Sequence, residues 1–380
     1  MADGDLGAPV DSLEFSLTDI TWSSIVHVTG NIYAISYTDA AGEGQIVTVD
    51  ISDVGEIGAA VEDSFEFADV TGAHPSIVHV ADDVFAIAYR GGGASGFVVT
   101  LTISAAGAIA AVAGGLLEFE TDSCYEPDMI KIPDGDDTFA IVCRGNANQG
   151  IINTIRITDV GAITAIEMKE AWGTNINGPR IIHVTGNIFA IVSRDNAWKG
   201  YIRSINITAA GGIDAAATAS LAFDATFGAD PSIVYVIDNI YAIAYRGTDD
   251  DGFVVTVTIN AAGAISLVGG AAGLVEFDEN KCTWPDILHL GTGTCVIAYA
   301  GEGDDGYLCS IQIDASGQIT LLDSLEFDTA NGQYASMVNI AADQYAIAYR
   351  GAAFDGFICT PTVETPVAAA SQYLMMMGIG

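Results

Sequence analysis

The stretch Tyr241-Ala242-Ile243-Ala244-Tyr245-Arg246 decides the fold, because recognisable variants of it occur seven times. The copies begin at Tyr33, Phe85, Phe139, Phe189, Tyr241, Cys295 and Tyr345, so successive copies lie 52, 54, 50, 52, 54 and 50 residues apart. A period of this length marks a supersecondary unit that cannot bury its apolar face alone and must stack on its neighbours. The 380 residues are therefore read as one cooperative domain rather than two or three.

Each unit carries four short stretches rich in Val, Ile, Tyr, Phe and Thr, separated by Gly, Asn and Asp turns, which is strand chemistry. In the fifth unit these are Ser232 to Val236, Ile240 to Arg246, Gly252 to Ile259, and a strand ending in Val275-Glu276-Phe277. The third strands open at Gly44, Gly96, Gly150, Gly200, Gly252, Gly306 and Gly356. The fourth are expected to end at Phe15, Phe67, Phe119, Met168, Phe223, Phe277 and Phe327. The fold class is all-β, a seven-bladed β-propeller of four-stranded antiparallel blades. The expected blades are 24–67, 76–119, 128–168, 180–223, 232–277, 286–327 and 336–363, the last completed by 10–17. They make one domain over 1–365, followed by an apolar tail at 366–380. Ser12-Leu13-Glu14-Phe15 reads as a fourth strand with no first three before it, and the last unit has three strands and no fourth. Pairing the two closes the ring and removes an exposed strand edge.

A second period sits above the first. Val26-His27-Val28-Thr29-Gly30-Asn31 returns 156 residues later as Ile182-His183-Val184-Thr185-Gly186-Asn187, as expected from duplication of a three-blade block plus one further blade.

The repeats, with Tyr-Ala-Ile-Ala-Tyr-Arg-Gly followed by Asp-Gly-Phe, resemble those of tandem-repeat seven-bladed propeller proteins of bacteria and archaea. The resemblance covers about residues 12 to 361 and implies the fold without implying an activity. The tryptophan-aspartate signature of one large propeller family and the Ser-x-Asp-x-Gly-x-Thr-Trp box of sialidases are both missing.

Charge bounds the partners. The net −37 arises from 49 Asp and Glu against only 12 Lys and Arg. Such a surface repels nucleic acid and anionic membranes and attracts cations. The tail is shorter than the roughly 20 apolar residues of a spanning helix, so no membrane insertion is expected. Met1 to Val10 carries neither the basic cluster nor the apolar core of a secretory signal. An extracellular, cell-surface or virion location is nevertheless favoured. Six cysteines without a Cys-x-x-Cys pair exclude zinc-ribbon and thioredoxin readings. Cys309 and Cys359 hold equivalent places in sheets about 10 Å apart, beyond the roughly 7 Å reach of a disulfide. Cys124 and Cys143 are the pair that could meet.

Five of the 12 basic residues end the motif, as Arg90, Arg144, Arg194, Arg246 and Arg350, with Thr38 and Ala300 in the other two blades. A repeat-wide position serves the shared unit, so these are expected to be structural charge pairs or backbone clamps near the loops where an acid follows the fourth strand, as in Glu120, Asp224, Asp278 and Asp328, with a ring that binds an anionic ligand as the alternative. A second polar ring falls on the innermost strands, at His27, His79, Lys131, His183, Tyr235, His289 and Asn339, and is expected to be hydrated rather than metal-binding. Asp249, Asp250 and Asp251, and Asp304 and Asp305, cluster in two loops. Calcium could use such oxygens, although Asp and Gly equally make solvated turns, and no other cofactor is indicated.

Function is sought where the repeat breaks. Trp22, Trp172 and Trp284 are placed in loops between blades and Trp198 in a loop between second and third strands. All of these loops share one propeller face with Tyr125, Arg180, Phe227, Tyr334 and Phe354. Aromatic and basic residues of this kind dominate binding hot spots, so Trp22, Trp172, Trp198, Trp284 and Tyr125 are the candidate carbohydrate- or ligand-binding residues. No Gly-x-Ser-x-Gly, His-Glu-x-x-His or phosphate loop is present, so no catalytic residue is expected; a glycan-cleaving groove is the third reading. The leading expectation is a non-catalytic structural protein that assembles with itself into a filament or array. It rests on the sticky strip Tyr373, Leu374, Met375, Met376, Met377 and Ile379.

Overall fold

A computed structural model of the chain describes residues 4–364 apart from 134, 136, 269–272 and 342. Seven antiparallel sheets follow one another along it. Blade 1 consists of Ile20–Thr29, Ile32–Asp39, Gly44–Asp50 and Asp63–Ala68, and blades 2 to 7 open at Ala73, Tyr125, Asn177, Ala229, Thr283 and Gln333. The seven-bladed, four-stranded propeller read from the repeat is the fold of the chain.

The motif forms the second strand of every blade, and its two faces do different work. Tyr241, Ile243 and Tyr245 pack on Ala190 and Val192 of blade 4, while Ala242 and Ala244 receive Cys295, Ile297 and Tyr299 of blade 6. Large residues on one face and alanine on the other let adjacent sheets interlock, and because both faces are covered the strand reads as continuously apolar. Phe85, Ala86, Ile87 and Ala88 expose no surface at all.

Buried hydrogen bonds tie blade to blade. A hydroxyl on each third strand donates to a turn carbonyl of the next blade: Thr48 to Gly107, Thr100 to Gly161, Thr154 to Gly211, Ser204 to Gly263, Thr256 to Gly317, Ser310 to Gly4 and Thr360 to Gly55, all at 2.6–2.7 Å. The sixth bond shows that closure starts earlier than residue 10. Gly4, at φ 88°, holds the turn position that Gly317 holds at φ 77° in blade 6. Leu6–Gly7 then pairs with Thr362–Val363, and Ser12–Ser16 pairs with Gly356–Cys359.

Blade 3 departs from its expected boundary. Its fourth strand runs Ile163–Thr174, so Trp172 and not Met168 takes the place of Phe119 and Phe223. Trp172 is therefore a buried framework residue, 5% exposed, and not a loop residue. It lies over Gly150 so closely that a Cβ there would sit 2.5 Å from its ring. All six cysteines are buried and free, Cys124 and Cys143 included.

Candidate functional site

Trp22 and Trp284 stand in the innermost strands rather than in inter-blade loops, at a β-bulge that recurs in all seven blades. In blade 3 the ladder passes from Tyr125 opposite Arg144 to Asp128 opposite Val142, one residue more on the inner strand than on its partner. The same slip occurs at Thr21/Ser24, Ala73/Ser76, Asn177/Arg180, Ala229/Ser232, Thr283/Asp286 and Gln333/Ser336. The first residue of each bulge is left-handed: Trp22, His74, Glu126, Gly178, Asp230, Trp284 and Tyr334 have φ of 48° to 56°. Six of these seven are not glycine, and each carries strain of order 1 kcal/mol or more. A bulge re-aims side chains, and these line a cavity of ≈ 330 Å³ at one end of the innermost strands.

The cavity has two halves. Across blades 6, 7, 1 and 2 it is aromatic: Trp284 lies 4.4 Å from Tyr334, Tyr334 5.7 Å from Trp22, and Trp22 stacks on His74 at 3.6 Å between ring centroids. Burial, with Arg180, Arg90 and Arg144 nearby, pushes His74 down to about 3, so this imidazole is neutral at physiological pH. Across blades 3, 4 and 5 the wall is charged. Burial alone would raise Glu126, but the Gly178 N–H at 2.8 Å and Arg144 at 3.3 Å outweigh it and hold the carboxyl below its usual range. Asp230 lies 3.2 Å from Arg246, yet burial keeps it above that range.

Two residues deeper, a polar ring clamps the blades together. Ser24 accepts from the Ile77 N–H, Ser76 from Met129, Asp128 from Ile181, Ser232 from Ile287, Asp286 from Met337 and Ser336 from Ile25. The seventh position is Arg180, which has no acceptor to offer. Its guanidinium bonds the Pro179 carbonyl at 3.1 Å, has no ion-pair partner among the described residues, and is exposed within the cavity wall. Burial raises Asp128 and Asp286, with hydrogen bonds and Arg180 opposing it.

Around this cavity runs a rim of arginine and aromatic rings. Tyr125 lies between Arg90 at 5.0 Å and Arg144 at 4.4 Å, and Trp198 between Arg194 at 3.9 Å and Arg246 at 5.7 Å. Trp198 is 40% exposed and stacks on Phe227 with an interplanar angle of 5°. Arg350 covers Phe354 at 4.0 Å. The motif arginines do not pair with Glu120, Asp224, Asp278 or Asp328, whereas Arg350 lies 3.8 Å from Asp19, just past the fourth strand of blade 7. Asp224, Asp278 and Asp328 instead accept from the motif tyrosines Tyr245, Tyr299 and Tyr349 at 2.8–3.1 Å, and Glu120 pairs with Lys169 at 2.6 Å. Tyrosine and arginine are adjacent, so they point to opposite sides of the strand.

The remaining candidates separate from this site. His27, His79 and His183 lie at the opposite end of the innermost strands, each ring folded onto its own hairpin carbonyl at 2.8–3.0 Å, while Lys131 donates to Val80. Asp250 is taken by Arg246 at 3.0 Å and Asp304 by Lys281. Asp249 and Asp250 belong to a tight turn that also occurs at Gly92–Ala94, Asn146–Asn148 and Ala352–Phe354 without any acid. Among the described residues no three His, Cys, Asp or Glu side chains converge as a metal site. The assembly candidates at 373–377 and 379 lie outside the described residues.

Trp22 and Trp284 are thus brought together; Trp198 and Tyr125 form the rim, and Trp172 is core. His74, Glu126, Asp128, Asp230 and Asp286 were missed. Their signal is an X-Pro pair recurring on the innermost strand, in His74-Pro75-Ser76, Glu126-Pro127-Asp128, Gly178-Pro179-Arg180, Asp230-Pro231-Ser232 and Trp284-Pro285-Asp286. Proline bars the preceding residue from right-handed helical backbone and so marks the bulge.

No protein-family model matches the chain, and no curated protein sequence matches it. Solved structures do. The chain is similar to a putative 6-phosphogluconolactonase from Bacteroides fragilis at 11% identity and TM-score 0.58, covering 92% of this chain and 97% of that one. It is similar to BBS1N, solved in complex with ARL6DN, at 9% identity and TM-score 0.57, covering 97% and 99%. It is also similar to the NanB sialidase of Streptococcus pneumoniae at 9% identity and TM-score 0.51, covering 93% and 70%. Likeness at such identities carries the propeller fold and no activity.

Proposed function

We propose that the chain is a carbohydrate-binding propeller that seats a sugar ring in the axial cavity and performs no chemistry on it. The carrying observation is the aromatic arc Trp284, Tyr334, Trp22 and His74, held facing the charged wall by strained backbone. A sugar ring has apolar C–H faces for such an arc and hydroxyls for Glu126 and Asp230 to accept from. The cavity volume falls at the small end of ligand sites. Binding rather than catalysis is supported by the acids themselves, since Glu126 and Asp230 are already ion-paired. A glycan array probed with the wild type and with Trp284→Ala tests this reading. Sugar binding that falls at least about 30-fold in the variant supports it, the loss expected of an aromatic hot spot. Binding that Trp284→Ala leaves intact contradicts it.

A further inference from the structure

The clamp ring below the aromatic arc is broken at one place, and the residue that breaks it points to the ligand. At six of the seven blade interfaces a Ser or Asp accepts a backbone N–H from the next blade. Blade 4 forgoes this bond to Ile233 and places Arg180 there instead.

What fills the position is a guanidinium with no direct ion pair among the described residues, although Glu126, Asp128, Asp230 and Asp286 act on it through space. Glu126 is engaged by Arg144 and the Gly178 N–H, Asp230 by Arg246, Asp128 by Ser76 and the Ile181 N–H, and Asp286 by Ser232 and the Met337 N–H. Every carboxylate of the wall therefore has its partners. Among the described residues Arg180 has a single hydrogen bond, to the Pro179 carbonyl, and it lines the cavity. Two residues before it the ring position is Gly178, where an added Cβ would meet nothing within 4 Å, so the cavity wall is open at that point. Arg90, Arg144, Arg194, Arg246 and Arg350 surround the same mouth. A chain with 12 cations against 49 acids thus gathers six arginines at one end of its axis, around a cavity wall that carries the four carboxylates Glu126, Asp128, Asp230 and Asp286, and positive charge concentrated on an acidic body draws anions.

Resting on the sugar-binding reading, we propose that the ligand is an acidic sugar, a ring bearing a carboxylate of the uronic type. Its carboxylate lies on Arg180 in the gap left by Gly178, and its C–H face lies on Trp22, Tyr334 and Trp284. A guanidinium matches a carboxylate in charge and in its paired donors. Each neighbouring acid has its direct hydrogen-bond or ion-pair partners elsewhere, so none of them occupies the guanidinium's donors.

The test is calorimetric titration with galacturonate and glucuronate, alone and as short oligomers, against galactose and glucose, using the wild type, Arg180→Ser and Trp284→Ala. Serine is the residue of four of the other clamp positions, so Arg180→Ser is expected to regain the bond to Ile233 and melt no lower than the wild type. The wild type is expected to bind the uronates at least about 10-fold tighter than the neutral sugars, and Arg180→Ser to remove that preference. A wild type that binds both classes equally, with both lost in Trp284→Ala, overturns the acidic-sugar assignment and leaves the pocket reading standing. A uronate preference that survives in Arg180→Ser also overturns the assignment. A wild type that binds no sugar of either class overturns the pocket reading and the assignment together.

Discussion

The Ser310 hydroxyl donates to the Gly4 carbonyl at 2.6 Å across 306 residues of sequence, the bond that Thr256 makes to Gly317 one blade earlier. The N-terminus is thus the missing turn and fourth strand of blade 7. Deleting residues 1–17 removes the buried Leu6 and Phe15 together with this bond. The expected loss is at least about 3 kcal/mol, counting about 1.5–3 kcal/mol for each side chain. Thermal and denaturant unfolding measure it, and a truncation that melts with the full chain contradicts the closure.

Gly150 and Trp172 make a second pair that substitution can probe. A methyl group at 150 would meet the indole at 2.5 Å within a buried sheet. Gly150→Ala is therefore expected to cost about 1–3 kcal/mol by overpacking, and to cost less when it is combined with Trp172→Ala, which removes the ring. Urea unfolding of the two single variants and the double variant gives the comparison.

The left-handed ring makes a sharper claim at Gly178. Its φ is 56° and nothing would crowd a Cβ there, so Gly178→Ala isolates backbone strain from packing. The expected cost is about 1–2 kcal/mol, the penalty of left-handed backbone for an L-residue. A neutral or stabilising result would mean that the bulge is not strained.

Acid should tighten the binding of an anionic sugar. Asp128, Asp230 and Asp286 lie above the ordinary carboxylate range because of burial, so as pH falls they take up protons before exposed acids do. Each proton removes a negative charge near Arg180. Glu126, shifted downward, stays ionised, and His74, at about 3, stays neutral, with Arg144, Arg180, Arg194 and Arg246 the guanidiniums that face these groups. A sugar carboxylate with a pKa near 3.5 remains charged from about pH 7 to about pH 5. Affinity for uronates is therefore expected to rise, relative to that for neutral sugars, as pH falls far enough to protonate these buried acids while the sugar carboxylate stays charged, measured by titration at several pH values. A fall contradicts the electrostatic assignment.

Most of the fold was legible because it is periodic: seven copies of one strand and of one glycine leave little else to build. The early start of closure was legible in principle. Gly4-Asp5-Leu6 repeats the pattern of Gly107-Ala108-Ile109 and Gly317-Gln318-Ile319, but a two-residue match near a terminus is a faint signal. Trp172 misled because an aromatic was expected at the position of Met168, and the longer fourth strand of blade 3 moves the packing position four residues on. The site was half legible. Trp22 and Trp284 stood out by rarity, whereas His74, Glu126 and Asp230 share with them a positive φ that residue type does not announce, marked in the sequence only by the proline that follows His74, Glu126, Asp230 and Trp284.

The most direct measurement is an electron-density map of crystals soaked with the sugar that binds best on the array. The expected map shows one ring against Trp22, Tyr334 and Trp284, with its hydroxyls on Glu126 and Asp230 and an acidic group on Arg180. Density for the sugar at any other surface of the propeller, with the axial cavity holding only water, would contradict the assignment of this cavity as the binding site.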